Sequence, residues 1–390
     1  MDLFNEDMRR DPYPAYDQLR ATTPVLHVRE ADLYLLFGYD DVRRALHDPD
    51  TFMSAVGVSR GVDFQWLLFM DPPRHTKLRA IVNRAFTSRS IAALEPRIAE
   101  LARTLVDDAL STDTFDVEAA IAAPLPMLVI GEMLGLPAGD VPRLTAWSQA
   151  IMNLASTIMG SPAEALGASE AFARADAEMR DYLAAHVAER RAASRDDLLA
   201  RLVAAEVDGE HLTDLELLRF FELLLAAGTE TTTNLIDNVL VCLIDHPDQL
   251  ARLHAEPALL PSAIEETLRF RSPAQAIFRA TRTPVELSGV SIPAGRMVLP
   301  VIGAANRDPA QFASAGDFDI ARDPNPHIAF GHGIHFCLGA PLSRLEARVV
   351  LAELLPRVRS IRHASSSAWQ PRRAFHVHGP ASLPIRVERR

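Results

Sequence analysis

Cysteine is almost missing from this chain. Cys242 and Cys337 are the only two among its 390 residues, too few for a disulfide framework or a four-cysteine zinc site. Lysine is scarcer still: Lys77 stands alone among 40 Lys plus Arg, a bias that fits a GC-rich genome better than any chemical need. Positive charge is outweighed, and the formal net charge of −11 disfavours nucleic acid and anionic membrane surfaces as partners. A membrane helix is excluded as well. The longest apolar segment, Thr213 to Pro247, carries Glu222, Glu230 and Asp237, which interrupt every window long enough to span a bilayer. The opening MDLFNEDMRRDPYPAY has no apolar core for a signal peptide. Its prolines point to an extended entry into the first helix, and a soluble cytoplasmic protein is expected. Length alone allows two or three domains, but no Gly/Ser linker, low-complexity run or repeat divides the chain, so one domain over residues 1–390 is expected.

What is present centres on Cys337, in the segment FGHGIHFCLG from Phe330 to Gly339. Gly331, Gly333 and Gly339 remove side-chain bulk at three places in ten residues, which lets a backbone turn press against something flat. Phe330 and Phe336 add apolar walls. The combination suits a thiolate held under a planar metal cofactor, with backbone amides tuning the sulfur. Zinc is a poor competitor, because the spacings of His332, His335 and Cys337 are not those of zinc motifs and no further Cys or His pair completes a tetrahedron. A glycine-rich turn around a buried thiol is the other reading that this segment alone leaves open.

In the segment from Thr213 to Pro247, Thr213 with Glu216 forms a capping box and Pro247 is a stop, giving a helix of roughly 50 Å. At its middle, Ala226-Ala227-Gly228-Thr229-Glu230-Thr231-Thr232 places a glycine and threonines among good helix formers. Threonine hydroxyls can bond preceding carbonyls and open the helix locally, and a carboxylate buried there needs a partner or a task. Proton handling and an ordinary polar kink are both open from these residues. Further along, Glu266 and Arg269 share a face of a short helix between Pro261 and Pro273, a spacing that usually means a weak surface pair. Asp71-Pro72-Pro73 reads as another helix start, after which His75 and Arg79 fall four apart on one face.

The pattern Phe330-Gly331-x-Gly333-x-x-x-Cys337-x-Gly339 resembles the haem-binding loop of the cytochrome P450 family, and the other segments match that family's motifs in order from Asp71 to Gly339. The resemblance implies a mainly α fold with small antiparallel β-sheets, the single-domain cytochrome P450-like fold. It implies non-covalent haem b, with no C-x-x-C-H attachment motif in the chain, and Cys337 as the axial ligand of the iron. Phe330, Gly331 and Gly339 then belong to the cofactor loop, and His75, Arg79, Arg279 and His335 meet the haem propionates. Glu230 and Thr231 become the acid and alcohol that guide protons to dioxygen, the co-substrate. Glu266 and Arg269 become a structural ion pair, with Arg322 its expected third member.

By the same resemblance the chain is a monooxygenase that hydroxylates or epoxidises a hydrophobic small molecule, with a place in secondary metabolism. The chain shows no flavin or nicotinamide fingerprint, so electrons come from outside, and the resemblance implies a ferredoxin and an NAD(P)H-dependent ferredoxin reductase as their source. A monomer is expected. Arg74, Lys77, Arg84, Arg344 and Arg348 could form a basic docking patch for an acidic donor, or simply a solvated charged face. Two alternatives are a peroxide-driven haem-thiolate enzyme, which typically replaces the acid-alcohol pair, and a non-enzymatic haem sensor, which does not need it. Substrate contacts are expected in Met53 to Phe69, at Ala226 and Ala227, in Ala274 to Phe278 and in Phe375 to Gly379. Trp66, Phe69, Ala227, Ile277, Phe278 and Phe375 are the pocket candidates, and the region from Trp147 to Met179 is expected to include a mobile lid.

Hydrophobic residues make up 48% of the chain, enough for a sizeable core, and the alanine- and leucine-rich stretches from Ile91 to Leu260 read as mostly helices. Val25 to Gly38 alternates as a hairpin, and Thr283 to Ile302 reads as further short strands.

Overall fold

The computed structural model describes residues 5–56, 65–156, 162–193, 195–365 and 369–390. It is mainly helical with small sheets, and it divides into two compact units. The first comprises Met1–Val62, Ala102–Ala122 and Thr231–Arg390; the second comprises Asp63–Leu101 and Ala123–Glu230. Among the described residues, no helix is long and apolar enough to cross a membrane.

The first unit holds a five-stranded sheet. Its strands in chain order are β1 (Val25–Val28), β2 (Leu33–Leu36), β3 (Phe52–Met53), β4 (Arg279–Thr281) and β5 (Met297–Pro300), laid side by side as β1-β2-β5-β4-β3. The hairpin read from the sequence is β1 and β2, with Val25 opposite Leu36. The pairing of β5 with β2, Met297 opposite Leu33, is parallel; the other pairings in the sheet are antiparallel. Alternate strand residues feed two apolar clusters, one with Tyr34, Leu36 and Val298, the other with Leu33, Leu35, Phe37 and Leu299. This is the period-2 division of a strand between two faces. At the amino end the expected extended entry gives way to a short helix, Glu6–Arg10, whose first turn is capped by Asn5 accepting from the Met8 amide at 2.9 Å. Pro12 and Pro14 then open the helix Tyr13–Thr22, because a proline's missing donor costs nothing in a first turn.

Four helices carry candidate residues. They are α1 (Arg74–Ala85), α2 (Asp214–Asp245), α3 (Leu260–Phe270) and α4 (Ala340–Leu354). Helix α2 begins at the capping box read from the sequence, with Thr213 Oγ1 accepting from the Glu216 amide at 3.2 Å and Glu216 accepting from the Thr213 amide at 2.9 Å. It ends two residues before Pro247, which starts the next helix, Pro247–Ala255.

Helix α3 carries two consecutive glutamates that fasten separate parts of the first unit. Glu266 and Arg269 are both fully buried, and the guanidinium reaches the two carboxylate oxygens at 2.8 Å each. Its remaining donors go to the carbonyls of Asn306, Ala315 and Asp317, so all five N–H groups of Arg269 are satisfied. Glu266 also accepts from Arg322 at 3.1 Å, from the Asp319 amide at 3.0 Å and from Asn325 at 3.2 Å. Glu265 takes Arg344 of α4 in a two-pronged pair at 2.6 and 2.8 Å, and His327 at 2.9 Å. Burial raises the Glu265 carboxyl, but the Arg344 and His327 hydrogen bonds outweigh it and hold the group at about 2. The segment from Ile328 to Gly339 is therefore tied to α3 on both sides.

In the second unit, Glu222 of α2 is fully buried. It accepts from the Trp66 indole at 2.8 Å and from Arg219 at 2.7 Å. Arg219 also binds Asp176. Desolvation, reinforced by the neighbouring Asp176 carboxyl and only partly offset by Trp66 and Arg219, pushes Glu222 up to about 7.

Two outcomes are expected. Glu266→Gln leaves the buried Arg269 charge uncompensated and should destabilise the protein by about 3–5 kcal/mol, read as a lowered midpoint in urea. Glu222 binds its proton more tightly folded than unfolded, so its contribution is complete below the unfolded value of 4.5 and is lost as pH rises through about 7. Wild-type stability should fall across that window relative to Glu222→Gln; parallel pH profiles for the two proteins would refute the assignment.

Candidate active site

The cysteine loop lies in the first unit. The Cys337 amide donates to the Phe330 carbonyl at 2.9 Å, closing the loop across its glycines. Gly331 and Gly333 both have φ of +75°, the left-handed region where a side chain is strained. At Gly333 a Cβ would also come within 2.9 Å of Leu46 O and His47 Cα, so glycine is required there on two counts. A Cβ at Gly339 would stand 3.9 Å from Cys337 Sγ, in ordinary contact with the sulfur. Gly339 is also the N-cap of α4, which puts the sulfur near the positive end of a helix, where negative charge is favoured. Buried residues Ala329 and Ala340 flank ten that are not buried. Phe330 lies under the Arg344 guanidinium, 4.4 Å from its ring centroid, while Phe336 is 44% exposed. Cys242, by contrast, is fully buried, and desolvation pushes its thiol up to about 12, with Arg271 only partly opposing. Cys337 is the cysteine whose setting suits a thiolate.

Other candidates in the first unit gather at the sheet and its flank. Arg279, on β4, is 2% exposed and donates to the Phe278 carbonyl at 2.8 Å. His335 Nε2 lies 2.9 Å from Ser54 Oγ. Phe278 and Phe375 meet edge to face with centroids 6.1 Å apart, and Ile277 packs on the cluster that includes Tyr34 and Leu36.

In the second unit, His75 and Arg79 share a face of α1. His75 is buried. Trp66 and Phe69 stack at 6.1 Å, with the Trp66 indole committed to Glu222. The division between the units falls inside α2, between Glu230 and Thr231. From Leu225 to Leu243 this helix is buried except at Ala227, Gly228, Glu230 and Thr231, which are a pocket candidate, the glycine and the two residues expected to handle protons. The expected local opening of the helix does not occur, and α2 runs unbroken from Asp214 to Asp245. Thr232 and Thr233 bond outward and Thr229 bonds back to a carbonyl of its own helix, none of them displacing the ladder. Thr229 Oγ1 donates to the Leu225 carbonyl at 2.7 Å and sits 3.1 Å from Ser148 Oγ, Thr232 donates to Ser343 Oγ at 3.1 Å, and Thr233 donates to the Ala122 carbonyl at 3.0 Å. Gly228 has a packing reason of its own, since a Cβ there would come within 2.8 Å of Ile130 Cδ1.

These donors fit a haem. The first unit offers one thiolate on an open, glycine-shaped loop together with a buried guanidinium and an imidazole; the second offers a buried histidine and an arginine on one helix face. Part of the expected pocket, residues 57–64 between Met53 and Phe69, and part of the expected lid, residues 157–161, lie outside the described residues. The expected basic patch is largely engaged within the chain. Arg74 pairs with Glu210 at 3.0 Å and with Glu216, Lys77 with Glu210 at 2.6 Å, Arg84 with the Glu206 carbonyl and Arg344 with Glu265. The sequence reading missed Glu265 and Ser54. Glu265, adjacent to Glu266, carried a signal in the doubled acid; Ser54 carried none.

Residues 10–363 match the family described as Cytochrome P450. The chain is 40% identical over 403 residues to the cytochrome P450 monooxygenase PikC of Streptomyces venezuelae, spanning 99% of this chain and 93% of that one. Among solved structures, cytochrome P450 CYP109Q5 from Chondromyces apiculatus is similar with a TM-score of 0.90 and 40% identity, covering 100% of this chain and 98% of the other. CYP109E1 from Bacillus megaterium in complex with testosterone follows at 0.88 and 37%, covering 96% and 99%. The chain belongs to the cytochrome P450 family: it is a monooxygenase that binds haem b non-covalently and takes O2 as co-substrate.

Proposed function

We propose that residues 1–390 act as one catalytic domain that hydroxylates or epoxidises an apolar organic molecule, drawing electrons from a ferredoxin and its NAD(P)H-dependent reductase. The observation that carries this reading is the lone Cys337 on its glycine-shaped loop at the start of α4. Cys337 would hold the haem iron, and Arg279, His335, His75 and Arg79 would hold the propionates by charge-assisted hydrogen bonds. When bound, a haem with thiolate ligation supplies dioxygen activation, because the sulfur's electron donation favours O–O cleavage.

The chain's own residues do the rest. Glu230 and Thr231 occupy the less buried stretch within the buried run from Leu225 to Leu243 of α2, so a carboxyl and a hydroxyl stand where they can exchange protons with a bound co-substrate. Phe278 and Phe375, in edge contact, with Ile277, Trp66, Phe69 and Ala227, would form apolar walls that orient the substrate and exclude water. A steroid-sized ligand is a natural first trial, since one similar enzyme has been solved with testosterone. A monomer working in the cytoplasm completes the proposal.

Titrating the ferric protein with steroids, terpenoids, macrolides, fatty acids and aromatics tests the pocket. A saturable low-spin to high-spin change is expected with at least one class, and the absence of any haem spectrum would sink the reading. Cys337→Ser should abolish the thiolate-type spectrum. Thr231→Ala should let electron consumption outrun product, lowering product per electron pair by up to about a hundredfold, the low side of what a positioned proton donor contributes; unchanged coupling would remove Thr231 from its role.

A further inference from the structure

Past the buried Thr232 and Thr233, helix α2 carries three further polar residues in its buried half. Asn234, Asp237 and Asn238 are all 0% exposed. Neither carboxylate oxygen of Asp237 has a hydrogen-bond partner, and Asn234 Nδ2 and Asn238 Oδ1 also lack one. Four unsatisfied polar atoms within two turns of one helix are costly unless water meets them. Thr231, Asn234 and Asp237 succeed one another at intervals of three, so each side chain neighbours the next, with Cβ atoms about 5–6 Å apart. One water spans such a step.

This row also has an outlet. Asn234 Oδ1 accepts from Arg372 Nε at 2.6 Å, and Arg372 Nη2 donates to Glu118 Oε1 at 3.0 Å. The side chains of Arg372 and Glu118 are each 18% exposed, so the pair reaches solvent while the residues beneath it do not. A Cβ at Gly379 would collide with the Asn234 amide, so the backbone is shaped to admit that side chain. Desolvation holds the Asp237 carboxyl well above the usual carboxylate range; Arg372 opposes, and Glu118 and Asp116 add to it. Asp116 is itself occupied, by Ser382 and by the amides of Glu118 and Leu383.

We propose that Asp237, Asn234 and the Glu118–Arg372 pair form a water-filled proton-supply route from solvent to Thr231. Asp237 is the exchangeable acid and Asn234 the positioning residue for the water. In one cycle the Asp237 carboxyl gives a proton to the water beside Asn234, that water passes one to the Thr231 hydroxyl as the hydroxyl releases its own, and a proton entering past Glu118 restores the carboxyl. No electrons move and the route ends as it began. The proposal rests on the monooxygenase reading for the use made of the protons, but not for the state of Asp237.

The test uses Asp237→Asn, which keeps size and neutrality and removes only the exchangeable acid. In the full-length haem-loaded protein, infrared spectra in H2O and D2O should show a buried carboxylic-acid carbonyl band that this variant lacks. Thermal stability and the substrate-induced spin change should be unaltered, while turnover falls by up to about a hundredfold with an enlarged solvent isotope effect. A purely structural Asp237 would leave turnover and isotope effect unchanged in the variant, and that result, or identical infrared bands in the two proteins, overturns the proposal. If Asp237→Asn fails to fold, Glu118→Gln at the partly exposed mouth decides: slowed turnover with a larger isotope effect supports the route, and wild-type behaviour overturns it. A wild-type protein that shows the band but no thiolate spectrum would instead defeat the monooxygenase reading.

Discussion

Two adjacent carboxylates, Glu265 and Glu266 on α3, hold the first unit in working shape. Glu266 is desolvated completely, which would be prohibitive for a lone charge, and it is tolerable only because Arg269, Arg322, Asn325 and a backbone amide converge on it. Glu265 faces the other way, to His327 just before the cysteine loop and Arg344 just after it. One turn of helix thus fixes both ends of a loop whose own regular structure is a single 3-10 turn, Gly333–His335. The position of Cys337 is inherited from ion pairs whose partners lie up to 79 residues away in sequence.

The loop's interior follows a different rule. It is shaped by what is missing, namely Cβ atoms at Gly331 and Gly333, where φ is +75°, and at Gly339 beside the sulfur. The same economy recurs on α2, where Gly228 leaves room for Ile130. Burial sorts the cysteines. Cys242, fully buried, keeps its proton, while Cys337 sits just before the N-terminal end of α4, where negative charge is favoured.

Much of this was legible in the sequence because the signals are local. The capping box of α2, the hairpin from Val25, the short strands after Thr283 and the Glu266–Arg269 spacing are all set within a few residues. Arg322 could be assigned because it stands in a recognisable stretch before the loop. Pairings across long stretches of chain were not legible. Glu265 with Arg344, His335 with Ser54 and Arg74 with Glu210 depend on tertiary placement, and the last of these engages cations that looked available for docking. The proline-rich start misled for a physical reason: prolines bar a helix interior but are welcome in its first turn, and Pro12 and Pro14 occupy one. The threonines of α2 misled similarly, since their hydroxyls found partners without opening the helix.

The contrast between the two cysteines has a practical corollary. With the Cys242 thiol buried and held at about 12, thiol-directed reagents at neutral pH have a single favoured target in the folded chain, Cys337, and that sulfur is the atom proposed to ligate iron. Alkylation of the native protein is therefore an intrinsic gauge of cofactor loading. Each molecule that carries a label had an uncommitted Cys337, and the labelled fraction by mass counts the haem-free population directly, without reference to any absorption coefficient.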